Sequence, residues 1–231
     1  TVDSTLATSH SVTISNLIAS TAYYYRVRSK DSSGNAAVSS GSNFTTSEYV
    51  GNYWYVDNQA TGANDGTSWK NGWQTFVDIG WSSVQAGDTI YISGGTSGKT
   101  YNESLNIAAS GTKGNPIFIR SGQDSGHTGK VIIKGTVNFG ATNWVVLNGN
   151  YNNNRNIGVT NPTGVCVYSK SPIGIKIQYV EVGPCGDKED EHGIYFNGYD
   201  GLPADAEISY SYIHDTYQDG INVSRSKGAS Y

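Results

Sequence analysis

The densest cluster of chemically capable side chains is Asp187-Lys188-Glu189-Asp190-Glu191-His192. Carboxylates at this density are the hard oxygen donors that calcium takes. Asp187, Glu189, Asp190 and Glu191 are therefore candidate Ca2+ ligands. Their spacing is not that of an EF-hand loop, and the same run also reads as a solvated loop between structural elements. A second group is His214-Asp215, followed by Asp219. An imidazole beside carboxylates can move protons, which makes His214, Asp215 and Asp219 candidate catalytic residues. Asp ahead of Gly220 is equally ordinary turn chemistry. Cys166 and Cys185, the chain's two cysteines, form no C-x-x-C or zinc-type cluster; they read either as a disulfide or as two buried thiols. No P-loop, dinucleotide glycine fingerprint or serine-hydrolase elbow is present.

The elements that must position these residues are β-structure. Charged residues are 15% of the 231, against 29 Gly and 17 Tyr. Small, turn-forming and β-favouring residues dominate, which argues against a helical bundle or a doubly wound fold. A hydrophobic content of 36% with five Trp argues against disorder. No apolar run is long enough for a membrane span. The net charge of −4 has no basic surplus, so nucleic acid is not an expected partner. Met is absent, even at position 1; the chain reads as an internal piece of a longer protein, and a monomer is expected.

From about residue 50 the chain repeats itself. Apolar pairs two apart recur at Ile90/Ile92, Ile117/Ile119, Trp144/Val146, Ile175/Ile177 and Ile208/Tyr210. A second series interleaves at Leu105/Ile107, Val131/Ile133, Val165/Val167, Ile194/Phe196 and Ile221/Val223, and a weaker third at Val137/Phe139 and Val180/Val182. A period of about 30 residues holding two or three short strands is too short for a propeller blade and contains no crossover helix. It predicts a parallel β-helix whose apolar pairs point inward. Ahead of it, Trp73, Phe76, Val77, Gly80, Trp81 and Val84 follow a helical period, predicting an amphipathic cap helix over 73–84. In this register Val165 and Val167 face inward and Cys166 outward.

These residues resemble right-handed parallel β-helix proteins of the pectin-lyase-like kind. The resemblance rests on Tyr55-Val56-Asp57, Asn64-Asp65-Gly66-Thr67-Ser68-Trp69, Gly87-Asp88-Thr89-Ile90, Gly111 to Ile117, and Ile213-His214-Asp215 leading to Asp219-Gly220-Ile221. In the first 47 residues, Leu17-x-x-x-Thr21-x-Tyr23, the Asp31-Ser-Ser-Gly-Asn35 turn and the close at Phe44 are similar to the last three strands of a fibronectin type III β-sandwich. The expected fold class is all-β: a partial sandwich over 1–47 and a C-terminally truncated β-helix over 48–231.

The resemblance implies a secreted, modular protein that engages an acidic polysaccharide. Its enzymatic form is a uronate lyase working by β-elimination, often with calcium. Polygalacturonase-like hydrolysis is disfavoured, because there is no adjacent Asp pair and the nearest match to Gly-His-Gly is Glu191-His192-Gly193. The reading from a different class is a non-catalytic surface or adhesion protein whose solenoid is a binding rod.

Overall fold

A computed structural model describes residues 11, 12, 14, 21–46, 51–198 and 205–225. The chain divides into two compact units, Thr1–Tyr49 and Val50–Tyr231.

In the first unit, Ala22–Tyr25 pairs antiparallel with Ser42–Thr45, and Arg28–Lys30 with Ala36–Val38. The turn between them is closed by Asp31, whose carboxylate accepts the N–H groups of Ser33 and Asn35, both at 2.9 Å. Tyr23 stacks on Phe44 with ring centroids 5.7 Å apart. Leu17 of the Leu17-x-x-x-Thr21-x-Tyr23 motif lies outside the described residues.

The second unit is a parallel β-helix of the right-handed type, the sense that parallel crossovers adopt. Sheet I runs Tyr53–Val56, Thr89–Ile92, Ile117–Ser121, Val145–Asn148, Ile173–Gln178 and Asp205–Ser209. Sheet II runs Lys99–Tyr101, Val131–Lys134, Ile157–Asn161, Val180–Cys185 and Tyr212–Ile213. Sheet III runs Leu105–Asn106, Val137–Gly140, Val167–Lys170, Ile194–Gly198 and Ile221–Arg225. Each coil adds one strand to each sheet, about 4.8 Å along the axis. Inside, Ile90, Ile119, Leu147, Ile177 and Ile208 form one ladder, and Val137, Val167 and Ile194 another, continued by Ile221, which with Val223 is exposed rather than buried.

Three expectations change. First, the frame slips by one residue at Trp144: Val145 and Leu147 are the inward pair, both fully buried. Trp144 is instead a corner residue with φ +55, and Tyr210 is another, with φ +55. The run Trp144-Val-Val-Leu147 satisfies a period of two in either frame, so the left-handed corner decides. The corner is built around Gly174, where a Cβ would come within 2.1 Å of the Trp144 ring. Second, Val131/Ile133 belong with Val180/Val182 in sheet II, whereas Val137/Phe139 belong to sheet III. In the Val165/Val167 pair, Val165 is only half-buried, and Cys166 is buried rather than outward.

Third, residues 73–84 are a chain of turns, not a helix. Thr75 and Asp78 each cap the other's N–H through their side chains, and Trp81 N–H donates to Ile79 O, two residues back. With Gly80, Ser82 and Ser83 following, local side-chain bonds and poor helix formers defeat the periodicity. Burial is nonetheless achieved. Trp73 stacks on Trp54 at 5.3 Å and Phe76 on Tyr101 at 4.9 Å, while Val77 is 83% exposed.

The frame is checkable by substitution. Leu147→Asp should strand a carboxylate inside the stack, costing several kcal/mol or preventing folding. Val146 is also buried, at 4% exposure, but lies outside the core cluster and in register with Lys176, so Val146→Asp should be milder by about 2 kcal/mol. Urea unfolding giving the opposite order would restore the Trp144/Val146 frame.

Candidate functional site

The residues singled out above lie mostly on two loops, 186–193 and 214–220, that join sheet II to sheet III in successive coils. Their base is the disulfide Cys166–Cys185, with Cα atoms 5.7 Å apart. Cys185 O also accepts the N–H of Tyr217, at 2.8 Å, tying the later loop to the earlier one.

The acidic stretch closes its own loop. Glu191 is buried; one carboxylate oxygen accepts the Asp187 N–H at 2.7 Å, and the other is 3.2 Å from Lys188 Nζ. These donors, the Asp187 N–H foremost, hold its carboxyl below the usual range. Asp190 adopts φ +66 and donates its N–H to Gln218 Oε1 at 2.8 Å. Among the described residues no three His, Cys, Asp or Glu side chains converge as metal ligands. Both Glu191 oxygens are engaged within the loop, by the Asp187 N–H and by Lys188.

The proposed catalytic trio is divided between two faces. His214 and Asp215 are together, with His214 Nδ1 2.9 Å from Asp215 Oδ2. His214 Nε2 is 3.4 Å from Glu181 Oε1, and Glu181 Oε2 is 2.5 Å from Lys130 Nζ. This Lys130–Glu181–His214–Asp215 chain lies on the outer face of sheet II, with the Tyr212 ring stacked on His214 at 4.6 Å. It exists because Gly158 stands between the strands of Lys130 and Glu181; a Cβ there would meet Lys130 Cε at 3.4 Å and Ile132 Cδ1 at 2.9 Å.

Asp219 lies at the sheet III end of the loop 214–220, two residues before the strand Ile221–Arg225. Its Oδ2 accepts from Asn222 Nδ2 at 2.9 Å and lies 3.5 Å from Nδ1 of the buried His192. The His192 ring sits 5.1 Å from that of Tyr195, whose hydroxyl is 2.9 Å from Ser224 Oγ. Tyr195 is one rung of an outward ladder, Asn106–Asn138–Tyr168–Tyr195–Asn222. Asn138 Nδ2 donates to Asn106 Oδ1 at 3.1 Å, and the Tyr168 and Tyr195 rings meet edge-on at 5.7 Å. Beside it runs a second outward ladder, Lys170–Asn197–Ser224. A cation, a phenol and stacked amides on one face can grip hydroxyls and carboxylates and can move a proton.

A Ser–His–Asp grouping at the first coils has another meaning. Ser93 Oγ and Asp57 Oδ2 approach the same His127 nitrogen, Nδ1, at 2.8 and 3.5 Å. A nucleophilic triad needs the two on opposite nitrogens and an accessible hydroxyl; Ser93 is fully buried. The group, with Lys99 paired to Asp57, ties the first coils to one another. Burial lowers the His127 pKa.

Lys130, Glu181, Tyr168 and Tyr195 escape sequence inspection because their proximity depends on which strands share a sheet. The alternation Val180-Glu181-Val182 does mark Glu181 as outward, but not its neighbours. The chain matches no family model, no curated protein and no solved structure.

Lys130, hydrogen-bonded to Glu181, holds that carboxyl below its ordinary 4.5. The stabilisation is therefore full above about pH 4.5 and is lost as pH falls through the lower folded value. Because the pair is about one-third exposed, it contributes under about 1 kcal/mol. Glu181→Gln should remove that part of the acid limb of a stability-against-pH curve; an unchanged curve would contradict the pairing.

Proposed function

We propose that the solenoid is the polysaccharide-engaging domain of a secreted, modular protein, and that it holds an acidic polysaccharide along the outer face of sheet III. The observation carrying this reading is the ladder Asn106–Asn138–Tyr168–Tyr195–Asn222. Its rungs are about 4.8 Å apart, close to the repeat of a sugar chain. Amides and phenols offer paired donors and acceptors to hydroxyls, and phenol rings offer apolar faces to sugar C–H groups. Lys170 at the edge supplies positive charge for uronate carboxylates. The N-terminal unit acts as a fibronectin-like spacer, and the disulfide suits an oxidising, extracellular setting.

The enzymatic form of this reading is β-elimination. The C5 proton leaves, the C4–O bond breaks and a C4–C5 double bond forms. Tyr195, flanked by Ser224 and His192, is the group placed to relay the proton, and Lys170 the group to offset carboxylate charge. The binding rod is the second reading. It is favoured by the division of His214 and Asp215 from Asp219, which leaves the proposed acid–base trio without a common contact.

Calorimetry with uronate oligomers should show binding that Tyr168→Ala weakens roughly tenfold, the scale of one lost aromatic contact. If the face is catalytic, ultraviolet absorbance should rise with uronate polymer, and Tyr195→Phe should slow that rise at least about a hundredfold while binding persists. Binding without absorbance selects the rod. Uronate binding unaffected by either variant, or no binding, would refute the assignment to sheet III.

A further inference from the structure

Sheet I presents a second outward ladder on another side of the solenoid: Tyr55, Tyr91, Arg120, Asn148, Gln178 and Ser209. Its two halves differ. In the later coils the polar groups satisfy one another. Asn148 Nδ2 donates to Gln178 Oε1 at 3.2 Å, Gln178 Nε2 to Glu207 Oε1 at 2.9 Å, and Lys176 Nζ to Glu207 Oε2 at 2.7 Å.

The earlier half is an aromatic floor ending at a cation. Tyr55 and Tyr91 stack at 6.1 Å, Tyr53 flanks Tyr91 at 5.9 Å, and Trp69 meets Tyr55 edge-on at 4.7 Å. Tyr53 is 55% exposed. Arg120 stands in register directly beside Tyr91, and its Nε is buried with no hydrogen-bond partner. A buried guanidinium N–H without an acceptor costs stability unless something supplies one. A guanidinium takes a carboxylate or sulfate in its planar fork, and the adjoining rings take an apolar face. An acidic sugar carries both features within one residue. Arg120 already meets the Tyr91 phenol, and Asp124 places a carboxylate near the rings; a simple anion would leave the rings unused, and a neutral glycan would leave the Arg120 Nε without an acceptor.

We infer that the Tyr55–Tyr91–Arg120 face is a second binding site for acidic sugar residues, separate from sheet III, so that one molecule holds two polysaccharide chains. The site on sheet I stands on its own residues; the bivalence rests also on the sheet III reading. Two sites on different sides of a rigid prism cannot share one short oligomer, so the protein cross-links polymers.

The test is calorimetry with a uronate hexamer, together with light scattering of a long uronate polymer, for the unaltered chain and for variants of Arg120, Tyr91 and Tyr168. Two sites per molecule and polymer clouding are expected. Arg120→Ala and Tyr91→Ala should each weaken one site at least tenfold and abolish clouding, while the site lost in Tyr168→Ala persists. Arg120→Lys should recover affinity only in part, and Arg120→Gln, which keeps an outward amide, serves if the alanine variant fails to fold. One site per molecule, sensitive only to Tyr168→Ala, overturns this inference and leaves the sheet III reading standing. One site, sensitive only to Arg120→Ala and Tyr91→Ala, upholds the sheet I site and overturns sheet III. No binding by the unaltered chain overturns both.

Discussion

No coil of this chain can bury its own apolar residues. Each contributes one or two inward side chains per strand, and these leave water only when the next coil lies on them in register. Ile119 is sealed by Ile90 on one side and Leu147 on the other; remove either neighbour and the burial is lost. From that dependence follow the corners and the outer faces. A strand frame that must match its neighbour forces the bends into single residues, and Trp144, Tyr179 and Tyr210 accept left-handed backbone to make them. Among the described residues no coil precedes the first one to stack on its inner residues; there Trp73 packs on Trp54 and Phe76 on Tyr101.

The same register converts an inward requirement into an outward pattern. Side chains between inward positions line up at the coil spacing whether or not they interact, so each sheet displays a column of its own composition. Sheet II carries the ionic chain Lys130–Glu181–His214. Sheet III carries amides and phenols, and sheet I an aromatic floor running into Arg120. The loops between sheets II and III then shape one edge of sheet III, where Asp219 and His192 meet. A solenoid thus presents several chemically different strips without altering its core.

Much of this was legible in sequence, and the failures share a cause. Period-two apolar pairs recurring every coil revealed the solenoid, because burial acts on every strand alike. The frame at Trp144-Val-Val-Leu147 was not legible, since four consecutive apolar residues carry no parity and the corner lies in backbone conformation. Nor was the division of Val131/Ile133 from Val137/Phe139 into separate sheets: both alternate, and only spatial pairing distinguishes them. Residues 73–84 misled because a helical period and a series of turns can bury the same rings. The loops bearing His214, Asp215 and Asp219 were visible by composition. That His214 turns toward Glu181 while Asp219 turns toward His192 depends on neighbours a full coil away.

Polysaccharide recognition by the outer face of sheet III is the claim on which the functional account turns. The most direct measurement is a nuclear magnetic resonance titration of tyrosine-labelled protein with a uronate hexamer, reading the ring resonance of each tyrosine. The account predicts large shifts for Tyr168 and Tyr195, saturating together. Shifts confined to tyrosines outside sheet III, or no shift at saturating oligomer, would contradict it.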